Sequence, residues 1–244
     1  MKKLSILTLL FSLLLFAATA VFGEEPMTTA NVDLNGDGVP DKISFTKREG
    51  PGEYTLFVNG RPKAGNFKNA YFDGFIVVDV KRTDPFKEVA MVSYGGGYDY
   101  EYQLYRYNGS IIQEMGGFNG IPSFKGNGIV LVETWMGFWP KKDKYLLDSS
   151  SGRLNHVPQE LYNVGIEATV KESFPIYKSR HESDVVANTL VNSKILIVAC
   201  DPSPKCADGG YFCDWYLVKT ATGFEGWVRL KTLSDKLESL PWAG

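Results

Sequence analysis

Asp33-Leu34-Asn35-Gly36-Asp37-Gly38-Val39-Pro40-Asp41 runs directly into Lys42-Ile43-Ser44-Phe45-Thr46. The first stretch is a tight, oxygen-rich loop. The second alternates polar and apolar residues with period two, which predicts a half-buried strand rather than a helix. Tyr54–Val58 repeats that alternation, and Asn59-Gly60 after it is a two-residue hairpin turn, because both positions tolerate positive φ. A loop feeding a strand that then turns back on itself is the beginning of an antiparallel sheet.

The same texture extends along the chain. Phe75–Val80, Glu88–Ser93, Tyr100–Tyr107, Ile129–Thr134 and Lys144–Leu147 are further strand-length runs. Asn108-Gly109 is read as another two-residue turn and Asp148–Gly152 as a longer one. Val78-Asp79-Val80, Asp84 and Glu88-Val89 repeat, with one residue inserted, the order of Val32-Asp33-Leu34, Asp37 and Asp41-Lys42-Ile43. Lys81 stands where the first copy has Asn35, so the second copy is expected to keep the strand and bind no ion. After Pro158 a second group of short runs begins, comprising Ala168–Lys171, Val185–Leu190, Lys194–Cys200, Trp215–Thr220 and Gly226–Leu230. The expected class is all-β: an N-terminal sandwich or partial propeller over 27–160, then a small barrel over 166–236.

The 244 residues carry a net charge of −2, with 44% hydrophobic and 14% aromatic side chains. That is too apolar for a disordered chain. A sequence pI of about 5.8 also argues against a nucleic-acid partner. Lys2-Lys3, the apolar run Leu4–Phe16 and the small residues Ala17–Ala20 describe a secretory leader, expected to be cleaved after Gly23. The run is shorter than the ~20 residues of a bilayer span. The mature chain is thus expected to be exported, periplasmic or extracellular, with no membrane span and a net charge of −4 from 24 basic and 28 acidic residues.

In the opening loop, positions 1, 3, 5 and 9 carry side-chain oxygens, and the glycines permit a tight turn. Ca²⁺ takes six to eight hard oxygen ligands, so Asp33, Asn35, Asp37 and Asp41, with the Val39 carbonyl, are the expected ligands. Ser44 at position 12 and the following strand do not suit an EF-hand. Asn31–Phe45 instead resembles the β-type calcium loop of FG-GAP and VCBS repeats, which implies a structural ion.

Asp214-Trp215-Tyr216-Leu217-Val218, then Gly223-Phe224-Glu225-Gly226-Trp227-Val228, resembles the ending of bacterial SH3 domains. That resemblance implies attachment to cell-wall peptidoglycan or an envelope protein. Tyr177, Tyr211, Phe212 and Trp215 are the candidate groove residues, and Trp227 is read as core. Cys200, Cys206 and Cys213 fall together. In an exported protein two should pair; Cys200–Cys213 is preferred because it would clamp the base of a hairpin, although Cys206 has either as an alternative partner.

His156 and His181 are the sole histidines, and no G-x-S-x-G or phosphate loop occurs. The chain is therefore expected to be no enzyme. A lysozyme-type inhibitor, which the acidic loop resembles more weakly, and a hydrolase with an acidic pair are the competing readings. Two aromatic clusters complete the inventory. Tyr98, Tyr100, Tyr102, Tyr105 and Tyr107 would share one sheet face if a bulge fell at Gln103-Leu104. Trp135–Trp139 is a candidate for the same binding surface, with ordinary packing as the alternative.

Overall fold

The computed structural model describes residues 25–68, 71–95, 99–204, 206 and 212–242. The leader residues 1–23, Tyr98 and Tyr211 lie outside that set. The fold is all-β, as expected, with one short helix.

Three four-stranded antiparallel meanders follow one another. The first comprises β1 (Thr29–Val32), β2 (Asp41–Lys47), β3 (Glu53–Val58) and β4 (Arg61–Asn66). The second comprises β5 (Phe72–Val78), β6 (Glu88–Tyr94), β7 (Tyr100–Tyr107) and β8 (Ile112–Asn119). The third comprises β9 (Ile121–Phe124), β10 (Ile129–Trp135), β11 (Pro140–Asp148) and β12 (Arg153–Val157). Asn59-Gly60 forms the expected hairpin turn, with φ of 51° and 76°. Asn108-Gly109 does not: four residues separate β7 from β8, and the Asn108 side chain accepts the Ser110 and Ile111 amides instead.

The second sheet is the middle layer. Phe75, Val89, Met91, Tyr105 and Tyr107 pack against Ile43, Tyr54, Leu56 and Val58 of the first sheet. Ile76, Ala90, Val92, Tyr102 and Leu104, one residue out of phase, pack against Val130, Val132 and Leu154 of the third. The described tyrosines of the run are therefore split between two cores, Tyr100 and Tyr102 in one and Tyr105 and Tyr107 in the other, rather than gathered on one face. β6 and β7 pair without interruption; the bulge lies in β8, between the partners of Leu104 and Tyr105, so β7 never changes parity. Tyr54 meets the Tyr105 hydroxyl at 2.8 Å and donates to Gln103 Oε1 at 2.6 Å, which satisfies the polar ends of these buried rings. Gly65 on β4 leaves room for them, since a Cβ there would sit 2.3 Å from the Tyr54 ring.

The C-terminal region forms one seven-stranded antiparallel sheet, with strand order β15-β14-β18-β17-β16-β13-β19. The strands are β13 (Tyr162–Val170), β14 (Pro175–Ser179), β15 (His181–Asn188), β16 (Lys194–Asp201), β17 (Trp215–Thr220), β18 (Glu225–Arg229) and β19 (Leu237–Glu238), with α1 (Leu230–Lys236) between the last two. β15 and β19 end the sheet without pairing to each other, so the expected small barrel is an open, coiled sheet. Among the described residues no helix is long and apolar enough to cross a membrane.

The turn between β10 and β11 carries Phe138 and Trp139, which are 0% and 1% exposed and belong to the C-terminal core. Trp139 donates its indole N–H to the Tyr216 hydroxyl at 3.0 Å. Phe138 packs its ring 5.6 Å from Tyr216 and 5.2 Å from Trp242. This aromatic hairpin is thus a wedge that joins the third sheet to the fourth, not a binding surface. Trp139→Ala should cost about 3–5 kcal/mol. Trp135→Ala, which removes a half-buried ring outside that core, should cost well under half as much. Urea unfolding of both variants checks the difference, and equal losses would refute the wedge.

Candidate functional site

Within the first loop, Leu34 is fully buried and anchors the turn. The carboxylates on either side of it collect backbone amides. Asp33 accepts N–H groups from Asn35, Gly36 and Gly38 at 3.2, 2.7 and 2.8 Å. The Gly38 amide foremost holds its carboxyl below the usual range; desolvation opposes it, and the Gly36 and Asn35 amides add to it. Asn35 Oδ1 accepts the Asp37 amide, and Asp37 accepts those of Val39 and the Asn35 side chain. Asp41, 3% exposed, takes the Leu34 N–H and the Asn59 side-chain amide at 2.9 and 2.7 Å. Among the described residues no three acidic, histidine or cysteine side chains converge as a metal-binding group. The donor set nevertheless consists of hard oxygens alone, which suits Ca²⁺.

The internal repeat is visible as geometry. Asp41 opens β2 and accepts the amide of buried Leu34; Glu88 opens β6 and accepts that of buried Val80 at 3.0 Å. Opposite Asp41 stands the neutral Asn59 amide, whereas Glu88 faces Arg106, 2.7 Å away, which also approaches Asp84. The second copy thus carries its counter-cation within the chain. Arg106, at the end of an ordinary strand alternation, gives no sequence signal of that role. The two loops also touch: Lys87 donates its amide to the Leu34 carbonyl, and a Cβ at Gly36, where φ is 75°, would fall 2.5 Å from Pro85.

The C-terminal sheet presents its second face opposite the core. Val228 points inward, so Trp227 and Arg229 point outward, which corrects the reading of Trp227 as a core residue. Each tryptophan on this face lies under a guanidinium: Arg229 is 4.1 Å from the Trp215 ring and Arg180 5.3 Å from Trp227. Arg180 also pairs with Asp201 and Glu160. Tyr177 pairs across from Trp227 on β14. Of the candidate groove residues, Trp215 is 3% exposed, Tyr177 half-buried and Phe212 exposed. Phe212 borders an open pocket of about 510 Å³ with Glu182, Cys206, Cys213, Arg229, Lys231 and Thr232. Tyr177 and Trp215 do not line it. The role of the arginines was missed, although the alternation Trp227-Val228-Arg229 already places Arg229 beside the tryptophans.

The disulfide joins Cys206 to Cys213, not Cys200 to Cys213. The register explains why: Cys200 pairs with Tyr216, and Asp201 with Trp215, so Cys213 lies three residues beyond the position opposite Cys200. The Cys200 side chain is buried in the C-terminal core, where desolvation pushes its thiol up to about 12. Closing so short a loop contributes about 2.5 kcal/mol in the chain-entropy model.

Compared with known proteins, the chain matches no family model, no curated protein and no solved structure.

Near the joint of the third and fourth sheets, two buried acids behave differently. Burial would raise the Asp143 carboxyl, but hydrogen bonds with Tyr162, Lys141 and His156 outweigh it and hold Asp143 below the usual range. Asp214 is 3% exposed and its Oδ2 has no hydrogen-bond partner among the described residues. Burial, then the charge of Asp201, pushes it up to about 6, with Lys141 opposing. A carboxyl raised in the folded state stabilises the fold below its unfolded value near 3.8, and that stability is lost as pH rises through 6. Asp214→Asn should therefore match wild type at about pH 3 and exceed it at pH 7.5 by up to about 3 kcal/mol. Urea midpoints at the two pH values check this; a constant offset would refute it.

Proposed function

We propose that this chain is an exported, non-enzymatic binding protein of the cell envelope, with a calcium-set first loop and a C-terminal sheet that holds wall peptides. The observation that carries the reading is the pocket beside Phe212, where an aromatic ring and a disulfide meet Arg229 and Lys231 on a sheet whose outer tryptophans are braced by arginines. The family resemblances of the first loop and of the Trp215–Val228 ending support it. The leader-like start and the disulfide, which suits an oxidising compartment, support export.

Asp33, Asn35, Asp37 and Asp41, with the Val39 carbonyl, would hold the ion. Three carboxylates in nine residues gain from a cation, and Asp41 has only a neutral amide opposite it. Because this loop packs on Pro85, the ion would also brace the first sheet against the second. At a calcium level of a hundred times Kd, binding adds about 2.7 kcal/mol. Chelator should lower the melting temperature by several degrees, and Asp37→Ala should erase that difference. Identical melting curves with chelator and with millimolar calcium would remove the ion from the reading.

Purified protein mixed with peptidoglycan sacculi, with and without lysozyme, tests the function. Co-sedimentation without effect on lysozyme is the expected result. Protection of the wall would replace this reading with that of a hydrolase inhibitor, and released fragments with that of a hydrolase.

A further inference from the structure

The described residues that line the pocket beside the disulfide carry more positive than negative charge. Lys231 is exposed and has no ion-pair partner among the described residues. Arg229 is held rigidly: its plane lies over Trp215, Nη1 donates to the Cys213 carbonyl, and Nε is 3.7 Å from Glu182. Those contacts leave Nη2 without a hydrogen-bond partner among the described residues. Among the described lining residues Glu182 is the single acid, against two cations, and Thr232 adds a hydroxyl. The remaining lining is apolar: the Phe212 ring and the Cys206–Cys213 bridge.

We infer that this pocket binds the free carboxylate end of a short peptide, with Arg229 and Lys231 taking the carboxylate and Phe212 with the disulfide covering a small apolar side chain. The chemistry follows from the donors. A guanidinium fixed in orientation presents its remaining N–H groups to a planar anion without losing further side-chain freedom. An ammonium on a flexible stem adds charge from whichever side the ligand leaves open. A sugar hydroxyl needs acceptors as well as donors, and two cations with one already engaged carboxylate supply few. The pocket therefore discriminates by charge and by its apolar wall. Trp215 contributes indirectly, as the surface that keeps the Arg229 plane in place, so it is a positioning residue.

This inference rests on the proposed wall-binding role for its biological ligand, but its test does not. The full chain is titrated by calorimetry with N-acetyl-D-alanyl-D-alanine and, separately, with its C-terminal carboxamide. The carboxylate peptide is expected to bind at least tenfold more tightly. Lys231→Glu, a change on an exposed side chain that should leave the melting temperature within a degree or two, is expected to remove that preference. Equal affinity for the two peptides, no binding of either, or a preference unchanged in Lys231→Glu would overturn the inference. Discrimination between the peptides with no co-sedimentation on sacculi would leave the carboxylate site standing and remove the wall-binding role. Sedimentation unaffected by Lys231→Glu, with no discrimination, would do the reverse.

Discussion

The middle sheet has to be covered on both faces. β6 shows the constraint most directly: six consecutive residues, Glu88 to Ser93, are buried, so neither parity of the strand meets water. A meander of four short strands cannot cover either face with its own chain. It has to acquire a neighbour on each side, and the first and third sheets are those neighbours. Glu88 is the polar cost of this arrangement. Burial pushes its carboxyl up, while the Val80 amide and Arg106 oppose that shift and satisfy the oxygens. Removing Arg106 would leave an unpaired buried acid, which is far costlier than the loss of a surface ion pair.

The same reasoning applies at the other end of the stack. The third sheet meets the C-terminal sheet through a few large rings rather than a broad face. Phe138 and Trp139 enter a core that also holds Ile176, Ile195, Ile197, Val218 and Val228. Aromatic side chains bury much area per residue, and tryptophan and tyrosine carry one polar atom each. Trp139 and Tyr216 satisfy those atoms on one another. Asp214, close by, has one oxygen without a hydrogen-bond partner among the described residues, and burial pushes its carboxyl up. Such a group is a small reserve of instability, and it lies near the junction on which the placement of the C-terminal sheet depends.

Function, in the proposed reading, divides along the same lines. The first loop is structural, since each of Asp33, Asn35, Asp37 and Asp41 accepts at least one backbone amide and so shapes the turn into β2. Recognition belongs to the outer face of the C-terminal sheet, where arginines brace tryptophans and Lys231, without an ion-pair partner among the described residues, faces a pocket. The two regions are far apart in the chain and share no core.

Most strands were legible from alternation, because a half-buried strand repeats its environment every two residues. The strands that were missed lack that signal. β4 reads Arg-Pro-Lys-Ala-Gly-Asn, and only pairing with β3 makes it extended. β8 carries two glycines and a bulge. The acidic loop, the Asn59-Gly60 turn and the internal repeat were also readable, since each depends on residues near one another in sequence. The partners of long-range groups were not. Alternation shows that Tyr102 and Tyr105 face opposite ways, but not that both directions are cores. Spacing shows three cysteines in a cluster, but strand register decides that Cys206 and not Cys200 reaches Cys213. The sequence by itself determined the local conformations: strand, turn and oxygen-rich loop. The tertiary structure decided which faces are buried, which aromatic residues became cement and which cation was left over, because those outcomes depend on what arrives from elsewhere in the chain.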